Sequence, residues 1–184
     1  MRPGQTEPKS GHLRRIVILF LIAFLARMLM IAVWDSTQRE FWFSPDSTHH
    51  MGIAKNLAEG KGFQFENKPT ARRPPGYPLF LAFTLRLGWF PFVVQFIQAL
   101  LGAFCSVIIY ALGCLLFDQT VGTLSGGIFA LDYLFVKQTV YILPEINFLF
   151  FLLASLYFLF RAQKENSIFY SLISGLLGGL TLLT

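Results

Sequence analysis

The chain has 184 residues, of which 54% are hydrophobic and only 14% charged, with 21 phenylalanines and a mean hydropathy of +0.57. Soluble domains carry about 25% charged residues, so this polar allotment is too small for a water-exposed surface. It excludes a cytosolic enzyme, a secreted disulfide scaffold and a nucleic-acid binder, and the net charge of +5 belongs with lipid headgroups and phosphates. Apolar runs separated by short polar breaks predict an all-α, polytopic bundle of about five spanning helices.

In chain order, Met1 to Leu13 is polar and interrupted by Pro3, Gly4, Pro8 and Gly11. Residues 1–15 read as a cytoplasmic tail ending at Arg14 and Arg15. Ile16 to Trp34 follows as an uncleaved spanning anchor of about 28 Å at helical rise, since Ala32-Val33-Trp34-Asp35 is a poor small-residue cleavage site.

Residues 35–91 form a large loop outside the hydrocarbon core. Within it, Ser44 is placed to cap a helix whose first turn holds Pro45 and Asp46. Met51, Ala54, Leu57 and Ala58 mark its apolar face and Gly60 closes it, giving a short amphipathic helix at the interface. The three prolines of Arg72-Arg73-Pro74-Pro75-Gly76-Tyr77-Pro78 predict a stiff extended connector. Leu79 to Phe90, interrupted by Arg86 and Gly88 and closed by Pro91, reads as a helix lying in the interface.

Phe92 to Leu116 is a clean span, Asp118-Gln119-Thr120 a tight turn, and Val121 to Val140 a further span despite Asp132 and Lys137. A fourth span runs from Glu145, after Pro144, to Phe160, and a last apolar run occupies Ile168 to Thr184. Because the chain stops inside that run, residues 16–184 are expected to be the N-terminal part of a longer protein; a natural end at the far headgroups is the alternative. Cys105 and Cys114 sit in one helix about 13 Å apart, beyond disulfide reach.

Arg2, Lys9, Arg14 and Arg15 before the first span, with Arg161 and Lys164 in a short loop, favour a cytoplasmic N-terminus by the positive-inside rule. Counting spans from there places Asp46 and Glu145 on one, outer face. Inverting the whole chain moves both together, so only a miscounted helix separates them.

Arg27 lies about 10 Å below the outer end of its helix, where a charge costs about 2.5 to 3.5 kcal/mol. It either snorkels or pairs with Asp132, or it faces an outer-leaflet cavity as a cation. Lys137 is expected to snorkel. Asp46 and Glu145 each have an ordinary explanation, because acids suit the first turn of a helix. Asp46, His49 and His50 can face one way and, with Glu145, are candidate ligands for a divalent metal, although the spacing matches no metal signature. Arg72 and Arg73 suit a phosphate through their guanidinium forks, and an anionic lipid headgroup satisfies the same chemistry.

These residues in this order resemble the GT-C class of membrane glycosyltransferases, in the superfamily of protein O-mannosyltransferases and lipid A aminoarabinose transferases. The resemblance is carried by one helix, then Asp46 with Ile53-Ala54-Lys55-Asn56-Leu57-Ala58-Glu59-Gly60-Lys61-Gly62-Phe63, then Arg73-Pro74-Pro75-Gly76-Tyr77-Pro78-Leu79-Phe80-Leu81-Ala82, then Pro144-Glu145 opening a later helix. It implies a multi-pass protein of the cell (inner) membrane that transfers a sugar, with inversion, from a polyprenyl-phosphate donor to a lipid, glycan or protein acceptor at the extracytoplasmic face. Asp46 would take the acceptor's proton and Glu145 would position the acceptor or a metal. Arg27, Arg72, Arg73, Tyr77 and His50 are the candidate substrate contacts. Asp46 precedes Ser47 where protein mannosyltransferases have Asp-Glu, which weakens a protein acceptor, and a piece lacking later helices is expected to be inactive alone. The competing readings are a transporter or flippase component, with Arg27, Asp132 and Lys137 lining a path, and a non-catalytic membrane scaffold.

Overall fold

The structure, a computed structural model, describes residues 9–37 and 45–184. The tail before Lys9 and the proposed Ser44 cap lie outside the described residues. Those described form α1 (Lys9–Thr37), α2 (Pro45–Ala58), a hairpin of β1 (Gln64–Phe65) and β2 (Lys68–Pro69), α3 (Gly76–Leu87), α4 (Phe92–Leu116), α5 (Gln119–Leu131), α6 (Tyr133–Gln138), α7 (Glu145–Glu165) and α8 (Ile168–Leu183). The protein is an all-α membrane bundle. Among the described residues three helices are long and apolar enough to cross a membrane, within Gly11–Trp34, Phe92–Leu116 and Glu145–Glu165, and Ile168–Leu183 is shorter.

Several boundaries differ from those expected. α1 starts at Lys9, inside the expected tail, because Gly11 costs a helix only about 1 kcal/mol against alanine. α3 starts at Gly76, so Tyr77 and Pro78 are helical; a proline in the first turn displaces no internal hydrogen bond. α7 runs on to Glu165, with Arg161 and Glu165 ion-paired one turn apart, and stops at Asn166 in the left-handed region (φ 47°).

The expected span from Val121 to Val140 is broken. The Asp132 backbone turns extended (ψ 120°), and its carboxylate accepts from Leu134 N–H (2.9 Å) and Phe135 N–H (3.2 Å), capping α6. A short polar side chain thereby offers the backbone an alternative to continuing α5. The Ala130 carbonyl left at the end of α5 accepts from Arg27 Nη1 at 3.3 Å, and the same nitrogen bonds the Ala23 carbonyl at 2.9 Å. Arg27 is fully buried, with its guanidinium 5.5 Å from the centre of the Phe129 ring. The Arg27–Asp132 ion pair is absent among the described residues, since Asp132 serves α6.

α4 is the central helix. Lipid tails are as apolar as side chains, so helices here associate through close packing and hydrogen bonds. Gly113 of α4 meets Gly122 of α5 so closely that a Cβ on Gly113 would stand 2.5 Å from the Gly122 Cα. Two turns back along α4, Ser106 Oγ donates to the Gly126 carbonyl at 2.8 Å. Ser155 and Ser174 donate to each other's carbonyls at 2.9 Å, joining α7 to α8.

The chain alternates direction through the bundle. At one end, Trp34 closing α1 packs edge-on against Tyr141 (5.7 Å), Val94 early in α4 shares a core with Met51, Tyr77, Leu81 and Ile142, and Leu183 closing α8 abuts Gly76. At the other, His12 Nδ1 lies 2.6 Å from the Tyr110 hydroxyl.

Candidate active site

α2 and α3 run parallel across the first of these ends, pinned at both extremities. At their starts Arg73 Nη2 donates to Asp46 Oδ1; at their finishes Arg86 Nη2 donates to the Ala58 carbonyl, at 3.3 Å. The β1–β2 hairpin returns the chain between them. Its turn residues Glu66 (φ 51°) and Asn67 (φ 61°) are both left-handed, the geometry of a tight hairpin turn. Asn56 Nδ2 holds it to α2 through the Gln64 carbonyl (2.9 Å). Gly52 makes room for the Phe65 ring, which would stand 2.6 Å from a Cβ there and which stacks on His49 at 3.9 Å.

Asp46 is exposed in the first turn of α2, and Arg73 is less so. Arg72 is exposed, its backbone N–H donating to Thr70 Oγ1 at 3.3 Å. His50 is only 2% exposed, edge-on to Tyr77 at 5.2 Å. Burial first, then the Arg73 charge, push its pKa down to about 4 against the opposing pull of Asp46, so the ring is neutral near pH 7. His50 therefore packs inside the site and presents no free surface to a ligand.

Tyr77 is fully buried. Its hydroxyl donates to Gln98 Oε1 at 3.2 Å, and burial, then the Glu145 carboxylate, hold the phenol well above its usual pKa. Glu145 is exposed in the first turn of α7 behind Pro144. With Asp132 and Gln138 it lines the polar part of a cleft of about 520 Å³ between α6 and α7, whose remaining walls include Leu134, Phe135 and Phe148. Asp46 and Glu145 thus lie at the same end of the bundle.

Arg27 is separate from this group, walled in by Phe129, Ala130 and Gly102; its full burial matches none of the roles the sequence leaves open to it, which are snorkelling, pairing with Asp132 and facing a cavity. Lys137 is half-buried among three rings, its ammonium 5.6 Å from Trp34, 5.8 Å from Tyr141 and 5.9 Å from Tyr133, an arrangement that stabilises a cation. Arg27, Asp132 and Lys137 therefore have separate local partners and do not line one path. No group of three His, Cys, Asp or Glu side chains is placed to hold a metal among the described residues.

Sequence reasoning missed Gln95 and Gln98. Both are buried in α4 and both bond the chain leading to Glu145. Two amides three positions apart inside an otherwise apolar run were the available signal.

The family model for dolichyl-phosphate-mannose-protein mannosyltransferase matches residues 72–184, from the paired arginines through Tyr77 and Glu145 to the last helix. The chain belongs to this mannosyltransferase family. It is a membrane protein of the GT-C glycosyltransferase type, and Asp46, His50 and Arg27 precede the matched segment. No curated protein and no solved structure matches the chain.

Proposed function

We propose that the protein transfers a sugar from a polyprenyl-phosphate donor to an acceptor at the extracytoplasmic surface of the cell membrane, with inversion at the anomeric carbon. The observation that carries this reading is the Asp46–Arg73 pair at the same end of the bundle as Glu145 and its cleft. A lipid-linked donor stays in the bilayer, so its reacting head must be met at such an end.

The donor phosphate takes the Arg73 fork, assisted by exposed Arg72, because phosphate oxygens match a guanidinium bidentately. That exchange releases Asp46 from Arg73. Asp46 then accepts the acceptor's hydroxyl or amine proton as that atom bonds to the anomeric carbon, while the carbon–oxygen bond to phosphate breaks and polyprenyl phosphate departs with the electron pair. Attack opposite the departing phosphate inverts the centre. Glu145 orients the acceptor, and the arginines stabilise the charge developing on the leaving group.

A transporter also uses interrupted helices, and α5–α6 is one. Here the freed Ala130 carbonyl is taken by buried Arg27, which supports a fixed structural break over an ion path.

The deciding experiment is sugar transfer by the full-length protein in membranes given a synthetic polyprenyl-phosphate sugar. Asp46→Asn should lower turnover at least about 100-fold, the usual contribution of a general base. Normal glycan or lipid modification by both Asp46→Asn and Glu145→Gln would leave a scaffold.

A further inference from the structure

α6 ends at Gln138 and α7 opens at Glu145, so the connecting chain leaves carbonyls that no helix satisfies, inside a region with little water. Three consecutive ones are taken by two side chains of α4. Gln95 Nε2 donates to Val140 O at 3.0 Å, and Gln98 Nε2 donates to Thr139 O at 3.4 Å and to Tyr141 O at 2.9 Å. Gln98 spends both amide hydrogens on this segment while its Oε1 accepts from the Tyr77 hydroxyl. Gln98 and Tyr77 are fully buried, and Gln95 is 3% exposed. An amide that deep is costly unless every polar atom is paired, and pairing all of them leaves the Gln98 side chain a single orientation.

We infer that Gln98 is a positioning residue which, through Tyr77 on one side and the 139–141 backbone on the other, fixes the Glu145 arm relative to the Arg73–Asp46 arm. Tyr77 sits in the first turn of α3, just after the connector that carries Arg73, and the 139–141 segment leads directly to Glu145. Either arm alone is anchored by its own packing. The Tyr77–Gln98–Tyr141 bridge is the polar link that sets one against the other.

This inference rests on Asp46 and Glu145 serving one reaction, and its test separates the two claims. Amide hydrogen exchange and sugar transfer are measured on the full-length protein in lipid nanodiscs. Gln98→Met should raise exchange about tenfold across both 139–146 and 76–80, the loss of roughly one net buried hydrogen bond. Gln98→Glu should stay within about threefold of the parent, because a buried, protonated carboxyl still accepts from Tyr77 and donates to Tyr141 O. Tyr77→Phe keeps the ring and the glutamine's grip on the loop. It should leave exchange at 139–146 unchanged yet lower kcat about tenfold with KM for the donor unaltered, a split that mere structural support does not produce. Parental turnover in Tyr77→Phe, or loosening by Gln98→Met confined to 139–146, overturns the inference. If the parent transfers no sugar, the proposed function fails and exchange at the two segments decides the coupling alone. Should Gln98→Met fail to fold, Tyr77→Phe decides it.

Discussion

Arg73 and Asp46, 27 positions apart, are joined by an ion pair that ties the approach to α3 to the first turn of α2. Most of the Asp46 side chain is accessible, at 62%, and an exposed pair of this kind contributes about 0 to 1 kcal/mol. Asp46→Asn should therefore change thermal stability by less than about 1 kcal/mol, while Arg73→Gln, which removes a group that both binds the donor phosphate and stabilises its departure, lowers kcat and raises KM for a phosphate-linked donor, a split between kinetics and stability. Steady-state kinetics with a polyprenyl-phosphate sugar checks this split, and a collapse of folding in either variant would show that the pair is chiefly architectural.

Gly102 permits Arg27 to reach the end of α5. A Cβ at Gly102 would stand 2.3 Å from Arg27 Nε, with Ala23 and Ala130 holding the guanidinium from the other side. Gly102→Ala should destabilise the bundle by about 1 to 3 kcal/mol through overpacking. Adding Arg27→Met should recover part of that loss, the mark of two residues in contact. Thermal unfolding in detergent reads both, and additive losses would deny the contact its role.

Gly52 gives the Phe65 ring its place against His49. In Gly52→Ala the ring must move, while the hairpin keeps its Asn56 bond to α2. Limited proteolysis should cut residues 60–70 several-fold faster while the bundle melts unchanged, since local openings of this kind leave the global fold intact.

His50 makes α2 docking acid-sensitive. Its pKa falls from the usual 6.5 to about 4 in the folded protein, so between those values the unfolded state binds more protons than the folded one. Stability is full above pH 6.5 and declines as pH drops toward 4, with Arg73 and His49 opposing the protonated ring and Asp46 favouring it. The expected loss is roughly 1 to 3 kcal/mol. His50→Gln should flatten that part of the stability profile; an unchanged slope assigns the acid sensitivity elsewhere.

The sequence made the membrane bundle legible because composition and run length are global signals. The α2 start at Pro45-Asp46, the turn at Asp118 before α5 and the shared end for Asp46 and Glu145 likewise followed from first-turn residues and span counting. The break at Asp132 did not. An acid in an apolar run reads as a partner for Arg27 or as part of a path wall, and its capping role shows only in the backbone turn. The hairpin escaped notice because its strands have two residues each, too few for any alternation to register. Gln95 and Gln98 were hidden because their partners are backbone carbonyls, which carry no residue identity. Arg27 was visible as an anomaly, but its burial depends on Gly102 and on the break in another helix.

Labelling of single introduced cysteines by a membrane-impermeant maleimide tests the central claim most directly, using Asp46→Cys and Glu145→Cys separately in a background with Cys105 and Cys114 replaced. Both positions should react in intact cells, from outside. Reaction of one from outside and the other only after the membrane is opened would divide the site and contradict the account.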